Sequence, residues 1–118
     1  MITGSVTPEG IPVVTLTLAG ESWTAIIDTG FNGDLELPGR LQPFVNARFL
    51  CRNRSLLAAG QIIEEDSYLV DFAFDGENGL AEATCAAHDE ILIGTHLLRG
   101  FRLEIDFPAQ TVRLERVV

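Results

Sequence analysis

The chain has 118 residues, 47% of them hydrophobic and 21% charged. A chain of this size and composition can bury a core without help from disulfides or a metal, which excludes a disordered protein. There are 17 acidic and 8 basic residues, for a net charge of −9, and the bases are all arginines scattered from Arg40 to Arg116. Without a concentrated basic face, we expect neither a nucleic-acid partner nor binding to anionic membranes.

No apolar run approaches the ~20 residues that a membrane-spanning helix needs. Met1 to Gly10 has neither a basic start nor an apolar stretch followed by a cleavage site, so we expect a cytoplasmic protein. In that compartment Cys51 and Cys85 should be reduced thiols, and their spacing matches no zinc motif. We therefore expect neither a metal nor a cofactor.

Alternating apolar residues and closely spaced turn residues predict short strands in the first half of the chain. The strand Ile11 to Leu18 should bury Val14, Leu16 and Leu18 on one face. The elements that follow are a turn over Ala19 to Ser22, a strand from Trp23 to Ile27, a short strand from Asp34 to Leu37 that Pro38 stops, and a helical turn or loop from Arg40 to Leu50.

In the second half of the chain, the pattern predicts hairpins and one short helix. Leu56-Leu57 and Ile62-Ile63 flank the first turn, Tyr68 to Phe74 and Leu80 to Ala86 flank a turn over Asp75 to Gly79, and Phe101 to Phe107 and Thr111 to Val117 flank the last. Between them, an apolar run from Ile91 to Ile93 ends at Gly94, and Thr95 is a plausible cap for a helix that Gly100 ends. The Asp75-Gly76 pair supplies the positive backbone angles that tight turns require. Many short strands with one helix predict an all-β fold, a small closed or nearly closed barrel forming a single domain over residues 1–118.

Asp28-Thr29-Gly30 is the segment with the clearest chemical potential. It follows the apolar strand that ends Ala25-Ile26-Ile27, so the strand presents a carboxylate, a hydroxyl and a glycine in succession. Gly30 would let a backbone approach the carboxyl closely. The alternative is a solvated turn in which Asp28 caps its own backbone.

From about Ile11 to Phe107, the order of these segments resembles that of the retropepsin-like aspartic proteases. In that family an apolar-Asp-Thr/Ser-Gly loop precedes a flap hairpin, a further hairpin and an apolar-apolar-Gly segment before one short helix. The sequence is most similar to small prokaryotic members, whose loop continues as Phe31, Asn32 and Gly33 do and reaches a Leu-Pro pair like Leu37-Pro38. The barrel expected here would thus be of retropepsin type.

The resemblance implies an aspartic endopeptidase that acts as a homodimer on peptide or protein substrates. Because one chain carries a single Asp-Thr-Gly, a complete site needs Asp28 from each of two subunits, facing each other across a two-fold axis. The two carboxyls would share one proton and activate a water. Thr29 would hydrogen-bond across the dimer, and Gly30 would leave room for substrate. The alternative is a catalytically silent dimer of the same fold that binds peptides or proteins.

The hairpin around Ala58-Ala59-Gly60-Gln61 matches the position of the family's flap. The resemblance implies that Ala59, Gly60 and Gln61 fold over an extended substrate and give it main-chain hydrogen bonds. An ordinary surface turn is the alternative.

Three features depart from the retroviral pattern. Asn32 and Thr95 stand where retroviral enzymes have an ion pair between an acid and an arginine, so the dimer contact must be built differently. Phe31 is larger than the small residue usual there, which changes the pocket shape. The terminal strand Thr111 to Val117 looks like an edge that could serve the subunit interface.

The polar residues outside the Asp-Thr-Gly loop are expected to have structural rather than catalytic roles. His88-Asp89-Glu90 would not converge on one metal ion, because neighbouring residues of an extended segment point to opposite sides. His96 is expected to be a partly buried or interface histidine. Glu64-Glu65-Asp66 is expected to be a solvated turn that could favour basic substrates in a dimer, and Asp106 to be exposed or hydrogen-bonded at a strand end.

Overall fold

The computed structural model describes residues 1–57 and 59–118. Ten strands in one sheet make up most of them, with a short 3₁₀ helix at Gly39–Phe44 and a one-turn helix α1 at Thr95–Leu98. In chain order the strands are β1 Ile2–Val6, β2 Pro12–Leu18, β3 Glu21–Ile27, β4 Leu35–Pro38, β5 Arg48–Leu56, β6 Ile62–Phe74, β7 Glu77–Ala86, β8 Ile91–Ile93, β9 Phe101–Asp106 and β10 Thr111–Arg116.

The strands are ordered β5-β6-β7-β4-β8-β3-β2-β1-β10-β9. A further pairing joins β2 to β6 through Thr17 and Ala73. Six strands therefore form a ring in which each pairs with the next, in the order β2, β3, β8, β4, β7 and β6. The pair of Thr17 and Ala73 closes this ring between β6 and β2. The predicted all-β class is confirmed.

Alternation along the strands produces the core. Val14, Leu16 and Leu18 of β2 are buried as predicted, while Thr15 between them is exposed. Buried residues of other strands complete the same cluster, among them Val6, Ala25, Ile27, Leu35, Leu37, Val70, Ala83, Ile91, Ile93, Val112 and Leu114. Because apolar area removed from water contributes roughly 25 cal/mol per Å², this cluster is the main source of stability.

Two tight turns follow from residues with positive φ. Ala19 and Gly20 have φ of 52° and 79°, and Asp75 and Gly76 have φ of 54° and 75°. Two-residue hairpin turns of this kind match the twist of the strands that they join. The Asp-Gly prediction is confirmed, and both turns are shorter than the sequence indicated because β3 begins at Glu21 and β7 at Glu77.

Strand β1 is absent from the sequence prediction, and it changes the position of the C-terminal strand. β1 pairs with β10 on one side and with β2 on the other, and β10 also pairs with β9. The prediction that Thr111 to Val117 forms a sheet edge is therefore wrong, because both of its sides are hydrogen-bonded. The edge strand at this end of the sheet is β9.

The hairpin of β5 and β6 is longer than predicted. The segment from Arg40 to Leu50 contains the 3₁₀ helix and then the start of β5, and the predicted turn at Glu64-Glu65-Asp66 is wrong, because these residues lie inside β6. Across the hairpin, Arg54 and Arg52 of β5 lie opposite Glu64 and Asp66, and Asn53 lies opposite Glu65. Arg52 pairs with both Glu64 and Asp66, at 2.9 and 3.0 Å.

Cys51 and Cys85 are not joined by a disulfide. Burial raises the pKa of Cys85, which lowers its thiolate fraction at neutral pH and so its nucleophilicity. Neither of the helices in the described part of the chain is long and apolar enough to cross a bilayer.

Candidate active site

Asp28 is the first residue after β3, and the central pairing of the sheet fixes its backbone. β3 runs parallel to β8, with Ile26 opposite Leu92 and Ile27 opposite Ile93. The Asp28 N–H continues this ladder by donating to the Ile93 carbonyl at 3.0 Å. The paired strands thus fix the backbone of Asp28 at the end of β3, and the residue is half-buried there.

The loop that follows turns back on the Asp28 side chain. The Gly30 N–H donates to Asp28 Oδ1 at 2.9 Å, and the Phe31 N–H donates to the Asp28 carbonyl at 3.1 Å. The self-capping contact that the sequence offered as an alternative is therefore present, and it occupies one carboxylate oxygen. Thr29 and Gly30 are exposed, and a Cβ at Gly30 would contact only Asp28 Oδ1, at 3.3 Å. The space above this glycine is open.

Helix α1 and the residue before it hold the underside of the loop. Thr95 N–H donates to the Phe31 carbonyl at 2.9 Å, His96 N–H to the Gly33 carbonyl at 3.2 Å, and Gly94 N–H to the Asp34 carbonyl at 3.0 Å. A Cβ at Gly94 would lie 2.2 Å from the Gly33 oxygen, so only glycine fits there. Gly94 is also the helix N-cap, without a side-chain cap bond. The prediction of Thr95 as the cap is wrong, because Thr95 is already the first helical residue.

A pair that the sequence interpretation missed joins this loop to the helix. Asp34 Oδ1 lies 2.5 Å from His96 Nδ1, and Asp34 Oδ2 accepts the Glu82 N–H of β7 at 3.0 Å. The Asp34 side chain is only 11% exposed, whereas that of His96 is 55% exposed. His96 is therefore not partly buried within the chain, and its place at a subunit interface stays a prediction. No local signal could reveal the pair, since 62 residues separate its members.

Phe31 fills the space that two glycines leave. A Cβ at Gly33 would lie 2.7 Å from the Phe31 ring, and one at Gly94 would lie 2.8 Å from it. The large side chain and the two glycines are therefore one packing unit. Asn32 is exposed and Thr95 half-buried, and the backbone N–H of Thr95 bonds to the Phe31 carbonyl on one side of Asn32 while that of His96 bonds to the Gly33 carbonyl on the other.

The candidate flap is the end of the β5–β6 hairpin. Leu57 and Gln61 close the turn through a hydrogen bond of 2.8 Å from the Leu57 N–H to the Gln61 carbonyl, and Gly60 has φ of +81°. Ala59, Gly60 and Gln61 are exposed, while Ala58 lies outside the described residues. The flanking Leu56 is 74% exposed. The hairpin therefore presents backbone and apolar side chains to solvent.

Other predicted polar residues have separate partners. His88 Nε2 lies 2.6 Å from Glu36 Oε1, and Asp89 accepts from Arg40 at 3.1 Å. Asp106 is exposed and accepts the Ala109 N–H at 3.0 Å, which confirms the expectation for it.

A cavity of about 390 Å³ opens between the loop after Asp28 and the β5–β6–β7 part of the sheet. Asp28 itself does not line it. The lining consists of the loop residues Phe31, Asn32, Gly33, Asp34 and Leu35, the strand residues Asn53, Glu65, Ser67, Glu82, Ala83 and Thr84, and His96. Phe31 thus contributes to the shape of this space.

Comparison with known proteins identifies the fold. The chain is similar to the crystal structure of a retropepsin-like aspartic protease from Rickettsia conorii, with a TM-score of 0.69 and 16% identity over 95% of this chain and 87% of that one. It is also similar to the foamy viral protease-reverse transcriptase in complex with an RNA/DNA hybrid, with a TM-score of 0.62 and 14% identity over 83% of this chain and 13% of that one. No protein-family model matches the sequence, and no curated protein does. The protein has a retropepsin-like fold, which agrees with the resemblance in the sequence.

Proposed function

We propose that this protein is an aspartic endopeptidase that acts as a homodimer, with Asp28 of each subunit in one shared site. The observation that carries the proposal is the position of Asp-Thr-Gly within the fold. Asp28 follows the parallel pair of β3 and β8, and its backbone N–H donates to the Ile93 carbonyl at 3.0 Å. This loop occurs in a fold that matches a retropepsin-like aspartic protease over 95% of the chain.

A single carboxyl cannot supply both an acid and a base, so the proposal requires two chains. In a symmetric dimer the two copies of Asp28 would approach across a two-fold axis. Two carboxyls in direct contact do not both ionise, and they titrate as a coupled pair that shares one proton. The pair then offers one carboxylate and one carboxylic acid at the same place.

The chemistry follows from that division of protons. The charged carboxyl takes a proton from a water held between the two, and the water oxygen attacks the scissile carbonyl carbon. The protonated carboxyl donates a hydrogen bond to the carbonyl oxygen and stabilises the negative charge that develops there. The carboxyl that took the proton from the water then passes it to the departing nitrogen, the C–N bond of the tetrahedral intermediate breaks, and the products are a carboxylic acid and an amine. In this proposal no covalent intermediate forms on the protein.

The neighbours of Asp28 have supporting roles. The exposed hydroxyl of Thr29 is available for a hydrogen bond to its copy in the other subunit. The open space at Gly30, where a Cβ would meet only Asp28 Oδ1, would admit the backbone of an extended substrate. The flap residues Ala59, Gly60 and Gln61 would close over that backbone and supply main-chain hydrogen bonds.

The test compares the wild type with Asp28→Asn, a change that keeps the size of the side chain and removes the acid. Both are incubated with a mixed peptide library between about pH 4 and pH 7, where a carboxyl pair can share a proton, and products are identified by mass spectrometry. We expect cleavage by the wild type to fall at least about a hundredfold in the variant. Asp106→Asn, the same change at an exposed aspartate, should cleave like the wild type.

One observation favours a second candidate, a catalytically silent dimer that binds peptides. Asp28 Oδ1 accepts the Gly30 N–H at 2.9 Å, a contact that a purely structural aspartate would also make. Under this alternative, wild type and Asp28→Asn would bind the same peptides and neither would cut them. Cleavage that depends on Asp28 rules it out.

A further inference from the structure

We propose that the open edge of β9 pairs with the same edge of a second copy of this chain, as two antiparallel strands related by a two-fold axis at Leu103. This inference rests on the proposed function and deepens it, because it names the interface of the dimer that would bring two copies of Asp28 together. The residues that would set the register of the contact are Arg102 and Glu104.

Strand β9 has the backbone of an edge that can accept another strand. It is the last strand of the sheet, and its strand neighbour among residues 1–57 and 59–118 is β10 alone. Pairing with β10 is continuous from Phe101 to Asp106, and the strand contains neither proline nor glycine. A regular edge of this kind presents N–H and C=O groups to any strand that can align with it.

The hydrogen-bond pattern shows which backbone groups of β9 point to the open side. The Val117 N–H donates to the Gly100 carbonyl at 2.9 Å, and hydrogen-bonded pairs alternate along an antiparallel ladder. The even-numbered residues of β9 therefore direct their N–H and C=O groups toward β10. The odd-numbered residues Phe101, Leu103 and Ile105 direct theirs to the open side.

The same three residues carry the apolar face of the strand. Phe101, Leu103 and Ile105 are half-buried and pack against the core, and the Phe101 ring makes an edge contact with Phe74, with centroids 5.5 Å apart. Pairing about Leu103 would place this residue against its own copy and Phe101 against Ile105 of the partner subunit. One contact would thus satisfy the outward backbone groups and cover the exposed part of the apolar face.

Charges on the other face of β9 favour this register. Arg102 lies opposite Glu115 of β10, and Glu104 lies opposite Arg113, with nitrogen–oxygen distances of 3.4 and 3.9 Å. With the axis at Leu103, Arg102 would lie beside Glu104 of the partner subunit, and the reverse pair would form by symmetry. The charges would then alternate in sign across the β10 and β9 strands of both subunits, an arrangement that stabilises cross-strand pairs.

Alternative pairings bring like charges together. An axis one residue nearer the start of β9 would place Arg102 against its own copy, and an axis one residue nearer the end would place Glu104 against its own copy. Strand β5 is at the other end of the strand order, and a copy paired there about Asn53 would place Arg52 against Arg54. Like charges directly opposite each other destabilise a strand pair.

Helix α1 connects this edge to the Asp28 loop. The Thr95 N–H at the start of the helix donates to the Phe31 carbonyl at 2.9 Å. The helix ends at Leu98 and β9 begins at Phe101, so the edge follows directly on the element that supports the loop. A symmetric contact at β9 would therefore relate two copies of the loop and its supporting helix by one axis.

The experiment uses two charge-reversal variants, Arg102→Glu and Glu104→Arg, each alone and both mixed in equal amounts. Alone, each variant would set like charges against each other at both symmetric positions, whereas a mixed dimer would pair acids of one chain with arginines of the other. Sedimentation velocity over a concentration series gives the dimer dissociation constant. We expect dimers at least about tenfold weaker than wild type for each variant alone, and close to wild type for the mixture.

The mixture is also the control for folding. Each chain keeps its own altered contacts with β10 whether alone or mixed, so recovery on mixing cannot come from a repaired fold. Thermal unfolding confirms that each variant is folded. Arg40→Glu, the same reversal at an exposed arginine outside β9, should dimerise like the wild type.

The outcomes separate this inference from the proposed function. A wild-type protein that stays monomeric over the series overturns the inference, as do single variants that dimerise like the wild type or a mixture that stays monomeric. Asp28-dependent cleavage by such variants would leave the proposed function in place with a different interface. Dimers that depend on Arg102 and Glu104 but cut no peptide support the inference and count against the proposed function alone.

Discussion

Two aspartates six positions apart in one loop differ in how their oxygens are used. Asp28 accepts the Gly30 N–H through Oδ1, and in the proposed function its other oxygen, Oδ2, would face the water and the substrate. Asp34 has both oxygens occupied, one by His96 and one by the Glu82 N–H. The residue types are identical, so the sequence could not separate these roles by composition. The Asp-Thr-Gly context singled out the first, and only tertiary structure reveals the second.

Asp34 also substitutes for a contact that the sequence indicated was missing. Asn32 and Thr95 cannot form the ion pair of retroviral enzymes, but two positions after Asn32 and one after Thr95 the chain has Asp34 and His96. Their side chains join the same two segments, at 2.5 Å. The loop next to Asp28 therefore keeps a charged or polar tie to helix α1.

Asp34→Ala should destabilise the protein by about 1–3 kcal/mol, because it leaves a backbone N–H and an imidazole without their acceptor. The measurement is the free energy of unfolding from urea titration. Asp89→Ala, which removes the exposed ion pair with Arg40, is the control and should change stability by less than about 1 kcal/mol. Equal losses in the two variants would show that Asp34 does not tie the loop to the helix.

At the scale of elements, the sequence predicted those strands whose pattern is local. Alternation located β2, and the Asp75-Gly76 pair located the turn between β6 and β7. The sequence pattern did not reveal β1, because Ile2 to Val6 contains a glycine and polar residues. This strand pairs with β10, from the other end of the chain. The sequence analysis also misjudged Glu64 to Asp66, an acidic run that lies within β6, where arginines of β5 pair with Glu64 and Asp66.

Gly94→Ala should be destabilising by about 1–3 kcal/mol, the usual range for overpacking. The added methyl would meet the Gly33 carbonyl at 2.2 Å, and that carbonyl cannot move without disturbing the loop after Asp28. Gly100→Ala is the matched control, because nothing lies within 4 Å of a Cβ there.

Thermal or urea unfolding of both glycine variants gives the comparison. A Gly94→Ala protein as stable as Gly100→Ala would mean that the loop and the start of helix α1 are not in close contact. The same variant should also lose Asp28-dependent cleavage, since the loop is the platform of the candidate site.

At the scale of the whole molecule, the family resemblance carried more information than composition did. The Asp-Thr-Gly loop, the hairpins and the Gly94 segment predicted the retropepsin-like fold, although the identity to the matching solved structures is only 14–16%. The cavity and its lining could not be predicted, because its residues come from five separate stretches of the chain. The sheet brings them together through pairings of long sequence separation.

The central claim, that two copies of Asp28 make one site, is tested most directly by mixing wild-type and Asp28→Asn proteins in equal amounts and allowing subunits to exchange. Only dimers with two aspartates should cut peptides, so random pairing predicts about a quarter of the activity of wild type at the same total concentration. Activity of about one half, the value for subunits that act independently, would contradict the shared site.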